Sequence, residues 1–128
     1  MIPETESSKL SPYKHLLTNK NIYHYNFPIP DRGVPSAMNL TAFINYMIIL
    51  LKGGWKVYLH CLGGHGRTGL IVSMILGYYK GLSANDSLNY CQALHFRRWK
   101  QVNERKKPKC YLSPSTNDQF KLVRRLLN

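Results

Sequence analysis

The stretch from His60 to Gly69 constrains this chain more than any other part of the sequence. It follows the short apolar run 57–59 and precedes a second apolar run, 70–76, and it contains four glycines: Gly63, Gly64, Gly66 and Gly69. A strand, a glycine-rich turn and the N-terminus of a helix together collect backbone N–H groups around an anion. This order predicts an anion-binding loop with a cysteine, Cys61, at its mouth.

Cys61 occupies a position where a thiol ionises easily. The positive end of the following helix and the guanidinium of Arg67 both favour the thiolate, and such surroundings lower a cysteine pKa from about 8.5 to about 3.5–7.5. We therefore interpret Cys61 as a nucleophile within a phosphate-binding loop.

A cysteine followed six positions later by an arginine is a weak pattern by itself, because this chain contains it twice. Cys91 precedes Arg97 with the same spacing, but that stretch contains no glycine and follows a helical pattern. Cys61 differs in its glycines, in the hydroxyl of Thr68 and in the helix that follows. The pattern at Cys61 is therefore specific, and we interpret the one at Cys91 as a coincidence.

The remaining sequence predicts one small α/β domain. We expect residues 1–20 to form an N-terminal tail with a short helix over 11–17, and residues 21–128 to form a single compact domain. Strands are predicted at 21–27 and 55–60, a loop over the basic stretch up to Pro108, and four helices: 36–52, 67–79, 83–96 and one from Ser115 onward. The predicted fold is a small, open, mainly parallel sheet flanked by helices. Its reactive loop lies between a central strand and a helix, where open α/β sheets place their sites.

Charge is the most unusual feature of the composition. The 128 residues carry a formal net charge of +12, and seven basic residues fall between Phe96 and Lys109. This charge is consistent either with an ordinary solvated surface or with attraction to an acidic or polyanionic partner.

The sequence favours an intracellular protein, cytoplasmic or nuclear. No apolar run reaches the roughly 18 residues of a membrane helix, and the polar, acidic N-terminus does not resemble a secretory signal. The three cysteines have neither zinc-site nor disulfide-framework spacing, and a reducing compartment suits a nucleophilic thiol. Sequence leaves the oligomeric state open.

The motif His60-Cys61-x5-Arg67-Thr68-Gly69 resembles the CX5R loop of the cysteine-dependent protein phosphatases, which include tyrosine-specific and dual-specificity enzymes. Upstream, residues 28–35 resemble the mobile acid loop of the small dual-specificity branch, with Asp31 at the expected separation from the cysteine. The kinase-associated phosphatases are the nearest group. This resemblance implies a protein phosphatase that hydrolyses phosphotyrosine, and phosphoserine or phosphothreonine in the dual-specificity type, through a cysteinyl-phosphate intermediate.

The resemblance also implies a role for each site residue. Cys61 is the nucleophile, Arg67 binds the phosphate oxygens, Asp31 is the general acid and base, and Thr68 donates a hydrogen bond to the sulfur. The remaining substrate-binding positions are those of the loop: Leu62, Gly63, Gly64, His65 and Gly66. His65 is open between facing solvent and contacting the phosphorylated partner. No metal or cofactor is implied.

Two alternatives remain at the level of sequence. The positive charge allows a phosphatase for a non-protein polyanion, a phosphoinositide or an RNA 5′-triphosphate. Against it, positions 62 and 65 lack the loop lysines of the lipid phosphatases, and Gly66 stands where RNA triphosphatases carry Asn. A catalytically inactive phosphate-binding module is the other alternative, but it would lack Cys61, Arg67 or Asp31.

A glutamine-rich motif of the tyrosine-specific enzymes is retained only at Gln119, which favours the dual-specificity type.

Overall fold

The protein is described from a computed structural model, which covers residues 14–18, 20–102 and 112–128. Within these residues the chain forms five helices: α1 (Lys14–Thr18), α2 (Ala37–Lys52), α3 (Gly66–Lys80), α4 (Ala84–Val102) and α5 (Asn117–Leu127).

Helix α3 is the centre of the fold, since α2, α4 and α5 all pack against it. Its side chains Leu70, Ile71 and Met74 are completely buried. Burying an aliphatic side chain of this size contributes about 1.5–3 kcal/mol. On a further face, Gly77 lies against Leu127 of α5, so closely that a Cβ at position 77 would collide with it. The residues just before α3 are therefore attached to a helix that packs against three others.

Local capping explains several of the helix boundaries. The Ser36 hydroxyl accepts the backbone N–H of Asn39 at the start of α2, and the Ser83 hydroxyl accepts that of Asp86 near the start of α4. Helix α3 ends at Gly81, which adopts the left-handed conformation (φ 66°) that glycine enters without steric cost. Helix α5 begins with a capping box between Thr116 and Gln119.

The prediction of a mainly parallel sheet was wrong. The described residues form a helical fold without an assigned strand, and the two predicted strands are extended segments that join no ladder. Their side chains show the reason: Tyr23 is 83% exposed and Tyr58 88% exposed, whereas strands of a parallel sheet are covered on both faces. Aromatic and β-branched residues indicated an extended backbone correctly, but a sheet also requires a hydrogen-bonded neighbour.

The N-terminal extended segment packs on α2 instead of pairing with another strand. The rings of Phe27 and Phe43 stack with centroids 4.3 Å apart, and Tyr25 stacks on the same Phe43 ring at 5.7 Å. Ile29, two residues further on, is completely buried. Packing against α2 therefore fixes the chain immediately before Asp31.

Helix α4 is longer than the sequence indicated. It continues past Phe96 to Val102, so the first basic residues of the predicted loop are helical. Residues 103–111, where the rest of that loop was predicted, lie outside the described residues, as do residues 11–13 of the predicted N-terminal helix. None of the helices in the described ranges is long and apolar enough to cross a membrane.

Candidate active site

Cys61 lies at the start of a loop that curls around its own sulfur. The backbone N–H of Gly64 and the hydroxyl of Thr68 both donate to Cys61 Sγ, each at 3.1 Å. Gly64 has a φ of 73°, which a glycine adopts readily and which turns its N–H toward the sulfur. Cys61 is only 6% exposed. Two converging donors on a buried sulfur are an arrangement that stabilises a thiolate.

Opposing effects act on the pKa of this thiol. Burial works to raise it, but hydrogen bonds from Thr68 and Gly64 and the charge of Arg67 together outweigh the burial, so the pKa of Cys61 lies below that of an ordinary cysteine. The thiol of Cys91 differs: there burial outweighs the hydrogen bonds and raises the pKa above that of an ordinary cysteine. Ionisation thus distinguishes the two cysteines that share the Cys-to-Arg spacing.

Arg67 connects the loop to the predicted acid loop. Its side chain is 2% exposed; Nη1 donates to the carbonyl of Ile29 at 3.1 Å, and Nη2 lies 3.2 Å from Oδ1 of Asp31. Asp31 itself is 63% exposed. The structure therefore brings Asp31 and Arg67, which are far apart in sequence, to one place beside Cys61.

The segment preceding α5 supports the loop from behind. Ser113 Oγ donates to the carbonyl of His65 at 2.8 Å, and a Cβ at Gly69 would collide with Ser113 and Pro114. Gln119 is completely buried: its Oε1 accepts the N–H groups of Ser115 and Thr116, and its Nε2 donates to the carbonyl of Gly33 at 3.0 Å. Gln119 thus links α5 to the acid loop.

The side of the loop formed by Gly64 and His65 contacts α4. His65 Nδ1 lies 3.1 Å from His95 Nε2, and Arg98 Nη2 donates to the carbonyl of Gly64 at 3.1 Å. Leu62 and Gly63 are exposed, whereas Gly66 lies against Ser115 and Gln119. The predicted substrate-binding positions thus form a rim that is open at 62–63 and supported at 64–66.

Sequence reasoning missed the residues that hold this loop from a distance. Neither His95 nor Ser113 was identified as a support of the loop, and Gln119 was considered only as what remains of a glutamine-rich motif. Each contacts the site across tens of residues of chain, and no local pattern predicts such a contact. No group of three or more His, Cys, Asp or Glu side chains suited to a metal occurs among the described residues.

Comparison with known proteins identifies relatives of this chain among the phosphatases. The family described as "Tc-R-P: Polymorphic toxin system, DSP-PTPase phosphatase" matches residues 5–80. Putative tyrosine phosphatase 067L of Invertebrate iridescent virus 3 is 36% identical over 96 residues, which cover 70% of this chain and 39% of that protein. Putative tyrosine phosphatase 197R of Invertebrate iridescent virus 6 is 32% identical over 99 residues, covering 74% and 36%. Tyrosine-protein phosphatase CDC14 of Candida albicans is 30% identical over 77 residues, covering 60% and 14%.

The family model accounts for more than half of the chain, including the whole stretch from Asp31 to Thr68. The chain therefore belongs to this family of DSP-PTPase phosphatases, and the resemblance to cysteine-dependent phosphatases seen in the sequence is confirmed. The matched part corresponds to less than two fifths of each viral relative.

Proposed function

We propose that this protein hydrolyses phosphotyrosine, and phosphoserine or phosphothreonine as well, through a cysteinyl-phosphate intermediate. The observation that carries the proposal is the sulfur of Cys61, which receives two hydrogen bonds in a glycine-rich loop that also holds Arg67. The tyrosine phosphatase names of the relatives support the same substrate class.

In the first step Cys61 attacks phosphorus as a thiolate, and the ester oxygen leaves as the S–P bond forms. Arg67 binds two phosphate oxygens through its planar guanidinium, a geometry that lysine does not reproduce. The backbone N–H groups of residues 62–67, which surround the start of α3, stabilise the remaining charge. Preorganised donors of this kind are worth about 3–4 kcal/mol each in the transition state.

Asp31 acts in both steps. As a carboxylic acid it protonates the leaving oxygen, and as a carboxylate it then removes a proton from the water that attacks the cysteinyl-phosphate. Thr68 donates to the sulfur and stabilises the thiolate that departs in this second step. The contact between Arg67 and Asp31 supports this assignment, because the proposed acid lies 3.2 Å from the guanidinium proposed to bind phosphate.

A non-protein polyanion is the second candidate substrate, and the net charge of +12 favours it. The same charge suits docking of an acidic or polyanionic partner, with α4 contributing the exposed Arg97 and Arg98 near the loop. A phosphorylated protein remains the first candidate because loop positions 62 and 65 are Leu and His, whereas the lipid phosphatases have lysines in the loop.

The decisive experiment measures turnover of two aryl phosphates, one with a good and one with a poor leaving group. We expect Cys61→Ser to abolish turnover of both substrates. Asp31→Ala should reduce turnover of the poor-leaving-group ester by about 10²–10⁴-fold, the scale of general acid–base catalysis, and affect the other ester much less. Cys91→Ala is the matched thiol control and should retain activity.

Turnover by Cys61→Ser would exclude the mechanism. A panel of phosphotyrosine, phosphoserine and phosphothreonine peptides, a phosphoinositide and an RNA 5′-triphosphate then ranks the substrates by kcat/KM. A clear preference for either of the last two would replace the first candidate by the second.

A further inference from the structure

Three side chains form a line from the outer end of α4 to the mouth of the loop. Arg98 Nη2 lies 3.4 Å from His95 Nδ1, and His95 Nε2 lies 3.1 Å from His65 Nδ1. His95 is buried, and its ring is perpendicular to that of His65 (89°) with the centroids 4.9 Å apart. The line therefore connects an exposed cation to the loop through a buried imidazole.

The direction of hydrogen bonding along this line is fixed by its first member. An arginine guanidinium only donates, so His95 Nδ1 accepts. A neutral imidazole that accepts at one nitrogen carries its proton on the other, so His95 donates from Nε2 to His65 Nδ1. By the same rule His65 carries its proton on Nε2. These two contacts together assign to His65 the tautomer that is protonated on Nε2.

The carbon–nitrogen edge of the His65 ring faces the open part of the loop. A Cβ at Gly63 would lie 3.1 Å from His65 Cδ2 and 3.8 Å from Nε2, and Gly63 itself is exposed. The backbone on either side is held in place, because Ser113 donates to the His65 carbonyl and Arg98 to that of Gly64. The His65 ring therefore lies beside the exposed Gly63, with Nε2 on that side of the loop.

The surroundings keep His65 neutral. Burial lowers the pKa of His65, and the charge of Arg98 lowers it further. Among the described residues, α4 contributes His95 and Arg98 to these surroundings, and the segment before α5 contributes the uncharged Ser113. If His65 were also protonated at Nδ1, two N–H groups would face each other across the 3.1 Å contact with His95 Nε2, and neither could accept.

We infer that His65 is a specificity-determining residue whose Nε2–H donates to an acceptor oxygen of the substrate beside the phosphate, and that His95 and Arg98 are positioning residues that hold this tautomer. The inference rests on the proposed phosphatase function. It assigns to the loop a neutral donor that recognises the group flanking the phosphate, in addition to the charged contacts that bind the phosphate itself.

The first test reads the tautomer directly. Long-range ¹H–¹⁵N NMR spectra of the wild-type protein should show His65 protonated on Nε2 and unprotonated on Nδ1. Arg98→Met should release this preference, whereas Arg97→Met, which removes the same charge from the neighbouring position, should leave it intact. An Nδ1–H tautomer or an imidazolium at His65 in the wild type at neutral pH would overturn the inference.

The second test separates binding from chemistry with a phosphotyrosine peptide. His65→Phe keeps a ring but removes the donor, so KM should rise by about two- to tenfold, the effect of one net hydrogen bond, with kcat retained. His95→Leu should raise KM in the same way. His95→Gln should restore it, because the glutamine amide donates from nearly the position of Nε2. An unchanged KM in both His65→Phe and His95→Leu would contradict the role.

The two proposals fail in different ways. A wild-type protein without turnover would overturn the proposed function. Affinity of the phosphotyrosine peptide for Cys61→Ser, compared with the Cys61→Ser/His65→Phe double variant, then tests the His65 contact without any reaction. Equal affinities would overturn the inference, and weaker binding by the double variant would support it.

Discussion

The guanidinium of Arg67 and the carboxylate of Asp31 lie 3.2 Å apart, so the group proposed to bind phosphate already contacts an anion of the protein. Arg67 is almost completely buried and its position is fixed by the carbonyl of Ile29, whereas Asp31 lies on the exposed side of the contact. Under the proposed function, a phosphate in the loop would therefore compete with Asp31 for the same guanidinium. The segment that carries Asp31 and the loop that carries Cys61 are connected through this one side chain.

This competition makes Asp31→Asn a variant with stronger oxyanion binding. The amide removes a negative charge from the neighbourhood of Arg67, so tungstate should bind about two- to fivefold more tightly, the scale of an exposed ion pair. Isothermal titration calorimetry measures the affinity. Asp118→Asn removes a carboxylate from the exposed face of α5 and should leave it unchanged. Weaker tungstate binding by Asp31→Asn would show that Asp31 does not oppose the anion.

The hydroxyl of Thr68 is expected to control the ionisation of Cys61. Thr68→Val keeps the shape but removes the donor, so the pKa of Cys61 should rise and the thiolate should form only at higher pH. The rate of alkylation by iodoacetamide as a function of pH measures this midpoint. Thr68→Ser retains a hydroxyl and should stay close to the wild type. If the pH midpoint of alkylation is the same in Thr68→Val as in the wild type, Gly64 and Arg67 lower the pKa of Cys61 without Thr68.

Cys61 and Cys91 should differ sharply in reactivity. The pKa of Cys61 is lowered while that of Cys91 is raised by burial, and the thiolate is the reactive form. In the folded protein at neutral pH, iodoacetamide should modify the peptide containing Cys61 well before the one containing Cys91. Mass spectrometry follows both peptides in one time course. Tungstate should protect Cys61 selectively, and equal rates at the two positions would contradict the assignment.

Gln119 is expected to contribute to stability and to the placement of the acid loop. Gln119→Met leaves the carbonyl of Gly33 and the N–H groups of Ser115 and Thr116 without their present partner, and an unsatisfied buried polar group costs about 1–3 kcal/mol. Chemical denaturation should show this loss in the free energy of unfolding. Lys121→Met, on the exposed side of the same helix, is the matched control.

Turnover of a poor-leaving-group aryl phosphate should fall further in Gln119→Met than in Lys121→Met, because the acid loop carries Asp31. A variant as stable and as active as the control would show that the contact with Gly33 is dispensable.

The loop itself was predictable from sequence because its parts are consecutive residues. The glycines, Cys61, Arg67 and Thr68 lie within one turn and the beginning of one helix, and the hydrogen bonds on the sulfur span three and seven positions. Helix starts at Ser36 and Ser83 were equally predictable, since a capping hydroxyl bonds a backbone N–H three residues later. The role of Asp31 stays a prediction from the family resemblance, because an aspartate between prolines has no distinctive local pattern.

The sequence by itself therefore determined the glycine-rich loop, the hydrogen bonds to the Cys61 sulfur and the helix that follows, since short-range hydrogen bonds decide all three. Tertiary structure alone decided that the extended segments join no sheet in the described residues, that α4 continues to Val102, and that His95 meets His65. These outcomes depend on which distant segment supplies the hydrogen-bond partner or covers the apolar face. These contacts depend on how the whole chain packs, so a short stretch of sequence does not predict them.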